Sequence, residues 1–458
     1  MGDRRSAFRR WSFLALLLLP GCARGPWATP PTSLVLITFD TTRADHLGCY
    51  GYRQATSPVL DTLAMEGTVF EEAFAPAVNT NPSHASLFTG LSPAHHGNRL
   101  NANLLDPRRE TLATILRRSG FRTGAFVSGY TMLASKTGFQ RGFEVYEDGF
   151  SGEKRTATTT VAKAVGWLRG IPRAKPYFLF VHLYDPHGKY DPPAGIADRF
   201  RVGSYPPIPT VDRIPRHQRL SLPGGAVSLD PLDYISHYDG TISYADSQIG
   251  RILKEVGPSP LVVFAADHGE TLIEREYLFA HGTLLNDEQV RVPLIFRFPE
   301  GRFRGRRVKG VAELVDILPT ALATLGLPVP SGLDGRNLLP DLRKGGALPE
   351  RVVISEGRGL PNIIGTGRLK LAPRAFTFSA RAEGYKLILY STTPQPTVEL
   401  FNLARDPGEI DNLAVREPER VASLKRWLDL YQAEGTPAEA PELDEETKEK
   451  LRSLGYVN

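Results

Sequence analysis

Three apolar runs, each closed by an acidic residue, constrain this chain more than any other feature. Ser33–Phe39 reads SLVLITF and ends at Asp40. Pro176–Tyr184 reads PYFLFVHLY and ends at Asp185 and His187. Leu261–Ala266 reads LVVFAA and ends at Asp267 and His268. These near-continuous runs suit strands buried on both faces, as in a parallel sheet covered by helices on either side. Thr123–Ser128 and Val292–Phe298 extend the set. Between the runs lie helical patterns at Pro58–Glu66, Thr111–Ser119, Thr156–Leu168 and Tyr234–Val256. Strands alternating with helices predict an α/β fold with a mostly parallel sheet between helices. In such folds ligands bind beyond the carboxyl ends of the strands. One aspartate after a strand is an ordinary turn former. Three such ends, two with histidine, point to a site.

The stretch Pro76–Gly90, PAVNTNPSHASLFTG, predicts a loop turning into a short helix. Asn81 suits the N-cap, Pro82 the first helical position and Gly90 the position past the last turn. Thr80 is then expected just outside a helix N-terminus, where unpaired N–H groups and the dipole favour an oxyanion. The plain alternative is that Thr80 and Asn81 only cap the helix. A threonine hydroxyl is a poor nucleophile without a base or a metal. Asp40 and Asp267 supply hard oxygens, His268 a nitrogen and Thr80 a hydroxyl. A mixed oxygen and nitrogen shell suits Zn²⁺ or Mn²⁺ better than Ca²⁺. Such a cation would lower the pKa of the Thr80 hydroxyl. Asp185, His187 and His281 are left to bind a second metal, or to stabilise the leaving group and the transferred oxyanion.

Other residues carry plainer expectations. Arg43 and Asp45 suit ion pairs behind the first strand. His84 either faces substrate or packs, and His182, inside an apolar run, has the character of a core histidine. His95 and His96 suit a helix end, and Asp246 and Asp316 structural hydrogen bonds. Ile196–Leu229 is long and rich in Pro, Arg and Gly, which fits either a substrate-facing insertion or a solvated loop.

The chain divides into an export leader over residues 1–22, a Pro-rich tether over 23–32, a large domain over 33–345, a small α+β unit over 346–434 and a tail over 435–458. Arg9 and Arg10 precede the apolar run Trp11–Leu19, which is too short to span a bilayer. Leu-Pro-Gly-Cys follows and resembles a bacterial lipoprotein cleavage site, with Cys22 as the lipidated residue. The expectation is an exported protein, periplasmic or at the cell surface, held to a membrane through Cys22. The net charge is +5, of which residues 1–21 contribute four arginines against Asp3, leaving +2 for the rest. That excess gives no reason to expect a nucleic-acid partner. With two cysteines in all, Cys22 and Cys49, there is no disulfide framework and no thiolate metal site.

The motifs together resemble the sulfatase family of the alkaline phosphatase superfamily. They are LVLITFDTTRADHLGCYGY at Leu34–Tyr52, TNPSHASLFTG at Thr80–Gly90, FVHLYDPHGKYDPP at Phe180–Pro193, AADHGE at Ala265–Glu270, HGTLLNDEQVRVPLIF at His281–Phe296 and ELFNLARDPGEIDNLA at Glu399–Ala414. The resemblance implies an alkaline-phosphatase-like core carrying the site and a smaller C-terminal subdomain. Departures from the family pattern are specific. Sulfatases mature a cysteine or serine to formylglycine, with proline two residues on and arginine four on. Here those places hold Thr80, Pro82 and His84, and threonine cannot become formylglycine. The paired metal aspartates become Asp40 and Thr41, the Asp-Asn pair becomes Asp267 and His268, and the active-site lysine becomes His281. These changes resemble superfamily members with a threonine nucleophile, the nucleotide pyrophosphatase/phosphodiesterases and the phosphoglycerol or phosphoethanolamine transferases. The resemblance implies a metal-dependent enzyme acting on phosphodiesters or phosphomonoesters, with Thr80, His84, His187 and His281 catalytic and Asp40, Thr80, Asp185, Asp267 and His268 around metal. The expected substrate is a small molecule or a glycan or lipid head-group ester. The alternatives are a sulfuric ester hydrolase without formylglycine and a non-catalytic binding lipoprotein.

Overall fold

The computed structural model describes residues 32–276, 278–358, 376–390, 396–435 and 443–454. The leader with Cys22, and the tether as far as residue 31, lie outside them. Among the described residues, thirteen strands make two sheets. The first holds β1 (Leu34–Phe39), β2 (Thr68–Phe74), β3 (Arg122–Val127), β4 (Val145–Glu147), β5 (Tyr177–Leu183), β6 (Leu261–Ala266), β7 (Arg291–Val292), β8 (Leu294–Arg297) and β9 (Arg306–Glu313). Its order is β4-β3-β5-β1-β6-β8-β2-β7, with β9 on β2. The run β4-β3-β5-β1-β6 is parallel.

The expected strand in Val292–Phe298 is present but antiparallel to β6 and β2, and it is split. Pro293 stands at the split, where it has no N–H for a ladder bond.

The alternation of side chains explains the unbroken apolar runs. Leu34 and Leu36 of β1 join a core beneath the helices Thr80–Thr89, Leu112–Arg118 and Ile317–Thr324. Val35, Ile37 and Phe39 join a second core beneath Pro58–Glu66, Ala157–Arg169 and Pro231–Val256. A period of two therefore buries both faces of one strand. The central triplet β5-β1-β6 sets Asp40 and Asp267 level with each other, with Asp185 one residue further along its strand end. Part of the insertion 196–229 is packed rather than solvated, since Ile208, Ile214 and Leu220 enter the second core.

The second sheet is antiparallel: β10 (Val353–Arg358), β11 (Phe376–Ala382), β12 (Tyr385–Tyr390) and β13 (Thr397–Asn402). The helix Pro418–Glu434 buries Leu424, Leu428 and Tyr431 against this sheet. Phe401, Ile388 and Tyr390 from its strands pack on Phe74, Val78 and Leu285 of the large domain. The same sheet braces the segment that leads to Thr80. Val78 N–H donates to the Glu356 carbonyl at 3.2 Å, and Glu356 N–H donates to the Pro76 carbonyl at 2.9 Å.

Candidate metal centre

Asp40 follows β1 and Asp267 follows β6, and the parallel pairing of those strands puts the two carboxylates next to each other. Both are buried, as is His268. Asp40 Oδ1, Asp267 Oδ2 and His268 Nε2 each lack a hydrogen-bond partner. One ligand atom from each of these residues lies within 4.8 Å of the others. His268 Nε2 is 3.9 Å from Asp40 Oδ1 and 3.5 Å from Asp267 Oδ2. The remaining atoms are anchored. Asp267 Oδ1 accepts from the N–H of Thr41 at 3.2 Å and of His268 at 2.9 Å. His268 Nδ1 meets the Gly269 carbonyl at 3.0 Å, so it carries the proton and Nε2 is left as an acceptor.

Three buried acceptors facing one point, with their other atoms tied down, fit a divalent cation. The electrostatics agree. Burial raises the Asp40 carboxyl to about 7, opposed by His268 and helped by Glu270. Asp267 is raised by burial and by Asp40. Two adjacent buried carboxylates need a positive charge that the neighbouring side chains do not supply in fixed form.

Thr80 stands beside this group, its hydroxyl facing Asp40 Oδ2 at 3.4 Å, which is long for such a hydrogen bond. The helix begins earlier than the sequence reading placed it. It runs Thr80–Thr89 with Asn79 at the N-cap, so Thr80 is the first helical residue and Asn81 is not the cap. Pro82 falls inside the first turn, where a missing N–H breaks no intrahelical bond. Gly90 closes the helix in the left-handed conformation, as its sequence suggests. The open N–H groups expected at this end are fewer, because Asn81 N–H donates to Asn101 Oδ1 at 2.9 Å. His84 lies one turn on and is pinned. Its Nδ1 meets the Thr80 carbonyl at 2.8 Å and its Nε2 the Thr38 hydroxyl at 3.0 Å. Burial lowers it to about 4, so it is neutral at physiological pH and holds the Thr80 backbone.

Asp185 does not join the metal group. Its Oδ1 accepts from Ala157 N–H at 3.1 Å, at the start of the helix Ala157–Arg169. His187 and His281 do come close to the centre. The His281 ring lies 4.6 Å from that of His268 and 4.9 Å from that of His187. His281 Nδ1 meets Glu270 Oε1 at 3.0 Å, and His187 stacks on Tyr184 at 4.2 Å. Gly129 permits that stack, since a Cβ there would fall 2.3 Å from the Tyr184 ring. Thr41 is no ligand. Its hydroxyl donates to the Pro186 carbonyl, and its φ of +49° aims its N–H at Asp267. Arg43 pairs with Asp45 and Glu274 as a structural knot.

Sequence reasoning missed Glu270, Tyr190 and the role of His182. Glu270 is buried, raised to about 8 by burial, and held by the Tyr190 hydroxyl at 3.0 Å. Its signal was the AADHGE motif, whose last residue was passed over. His182, expected in the core, is buried but places Nε2 3.2 Å from Asp40 Oδ2. His217, from the insertion, is lowered to about 4 by burial.

The sulfatase family profile matches residues 32–327. Human arylsulfatase K is 26% identical over 429 residues, covering 81% of this chain and 76% of that protein. The phosphonate monoester hydrolase of Agrobacterium radiobacter superposes with a TM-score of 0.68 at 21% identity, covering 90% of this chain and 100% of the other. A protein solved with its substrate D-glucosamine-2-N,6-O-disulfate superposes with a TM-score of 0.71 at 18% identity, covering 88% and 98%.

Proposed function

The chain belongs to the sulfatase family and is an ester hydrolase of that class, and we propose that it cleaves phosphate esters with Thr80 as nucleophile. The observation that carries this reading is the Thr80 hydroxyl beside three convergent, unpartnered acceptor atoms. A divalent cation held by Asp40, Asp267 and His268 would lower the pKa of the Thr80 hydroxyl and offset the charge of a phosphoryl group.

The chain's own groups have assignable tasks. Asp40 Oδ2 faces the hydroxyl proton and accepts it as Thr80 Oγ attacks phosphorus. The bond from phosphorus to the ester oxygen breaks, and that oxygen leaves with the electron pair and takes up a proton as the alcohol. Water then attacks the phosphoryl-threonine, returning Thr80 and releasing phosphate or a phosphomonoester. His281, backed by Glu270 and packed against His268, and His187 beside it are the groups we assign to the leaving oxygen.

A sulfate ester is the second reading, favoured by the names of the relatives. It has no aldehyde hydrate to work with, because Thr80 occupies the formylglycine position. The test is a panel of matched aryl phosphate monoester, phosphodiester, phosphonate monoester and sulfate ester, each with added Zn²⁺, Mn²⁺ or Ca²⁺. A phosphorus ester turned over fastest, with Zn²⁺ or Mn²⁺ required, supports the reading. A sulfate ester turned over fastest overturns it.

A further inference from the structure

His182 sits in a strand that is otherwise apolar apart from its aromatic start, and its ring is fully buried. An imidazole there loses its hydration, whereas leucine would not. The β1–β5 register sets it opposite Thr38, two residues before Asp40. From that place Nε2 reaches Asp40 Oδ2 at 3.2 Å. Its Nδ1 has no hydrogen-bond partner, so the proton belongs on Nε2, where there is an acceptor. The ring is held on its flanks. His84 packs edge-on at 5.0 Å, itself pinned by Thr80 and Thr38, and Tyr184 lies at 6.1 Å.

The two oxygens of Asp40 have different surroundings. Oδ2 meets both His182 Nε2 and the Thr80 hydroxyl, while Oδ1 has no partner and lies 3.9 Å from His268 Nε2. A carboxylate turns readily about its terminal torsion. Something must keep one oxygen for each task.

We propose that His182 is a positioning residue: by donating from Nε2 to Asp40 Oδ2, it holds the carboxylate with Oδ1 toward the cation and Oδ2 toward the Thr80 hydroxyl. This rests on the reading of Asp40 as a cation ligand and Thr80 as nucleophile. Donors behind a metal-binding group fix its orientation in the same way elsewhere.

Two substitutions separate this role from packing. His182→Gln keeps an N–H near the Nε2 position, and His182→Leu fills the space without a donor. Zn²⁺ affinity is measured on metal-stripped protein by competition with a chromophoric chelator. The kcat and KM are measured at saturating Zn²⁺ with the best ester of the panel, and the melting temperature on stripped protein. His182→Leu is expected to weaken Zn²⁺ binding about 10- to 100-fold. It should lower kcat about tenfold or more with KM changed less than about threefold, as for a group that acts in the transition state. His182→Gln should recover both to within about threefold, and neither change should follow the melting temperature. If the leucine chain does not fold, His182→Asn, whose amide stops short of Asp40, replaces it. Unchanged Zn²⁺ affinity in the donor-free variant, or glutamine as impaired as leucine, overturns the proposal. A wild-type protein that binds no Zn²⁺, or a Thr80→Ala protein that keeps full activity, brings down the proposed function and this role with it.

Discussion

A threonine hydroxyl is too weak an acid to attack an ester unaided, so the case for Thr80 depends on the residues around it. Asp40, Asp267 and His268 present their unpartnered atoms to one point, and Asp185 does not. Asp267→Asn should therefore lower bound Zn²⁺ and activity together by about tenfold or more. Asp185→Asn should leave metal content unchanged, because its remaining oxygen still accepts from Ala157. Atomic absorption on dialysed protein checks both. A pH effect follows from the same carboxylates. Without a cation, burial sets Asp40 at about 7 and Glu270 at about 8, above ordinary values of 3.8 and 4.5. The folded chain then binds more protons than the unfolded one, so this contribution is present at low pH and is lost as pH rises through 7 to 8. Buried histidines lowered to about 4, such as His84 and His182, act oppositely, but only below their ordinary 6.5. Chelated protein should thus melt a few degrees lower, about 2–4 °C, at pH 8 than at pH 6.5. Added Zn²⁺ should raise the melting temperature more at pH 8. Scanning fluorimetry at the two pH values reads this. Aspartates after strands were legible as a class. Which of them faces a cation was not, because β5 pairs Leu183 with Phe39, which puts Asp185 one residue beyond the level of Asp40 and beside the start of a helix near neither in sequence.

At the scale of elements, the buried parallel strands announced themselves because both faces are apolar. The strands β2 and β9 did not. TVFEEAF carries Glu71 and Glu72 at half-buried positions, and RRVKGVAE lies with its first half largely exposed, so neither has the unbroken apolar run. The helix at Thr80 was legible from its glycine end, while its start was displaced because Pro82 fits more than one position in a first turn. The contact between β10 and the Thr80 segment leaves no mark in the local sequence. It is secured by Arg99, which makes a two-pronged, buried bond to Glu356, the residue whose backbone bonds Pro76 and Val78. Removing one partner of a buried pair leaves the other uncompensated. Arg99→Leu should cost about 3–5 kcal/mol in urea unfolding. Because the strap ends two residues before Thr80, surviving folded protein should also lose activity. Full stability in that variant would mean the pair contributes little to holding the segment.

For the whole molecule, the two sheets act as one support: the first carries the ligands, and the second braces the loop that carries the nucleophile. No described helix is long and apolar enough to cross a membrane. We propose that attachment comes instead from the leader, with export, cleavage before Cys22 and lipidation of that residue. Cys22→Ala should then move the protein from the membrane fraction to the soluble fraction or leave its leader uncleaved. Fractionation with an immunoblot reads both. A Cys22→Ala protein that stays in the membrane and is cut at the same place contradicts that attachment.

The claim on which the rest depends is that Thr80 takes the phosphoryl group. The direct measurement is mass spectrometry of peptides from a reaction with the best phosphorus ester, quenched in acid within milliseconds. The account predicts a phosphoryl group on Thr80 that appears before steady state, and a Thr80→Ala protein that folds, keeps most of its metal and loses turnover by about 10³-fold or more. A Thr80 that stays unmodified while Thr80→Ala remains fully active would contradict it.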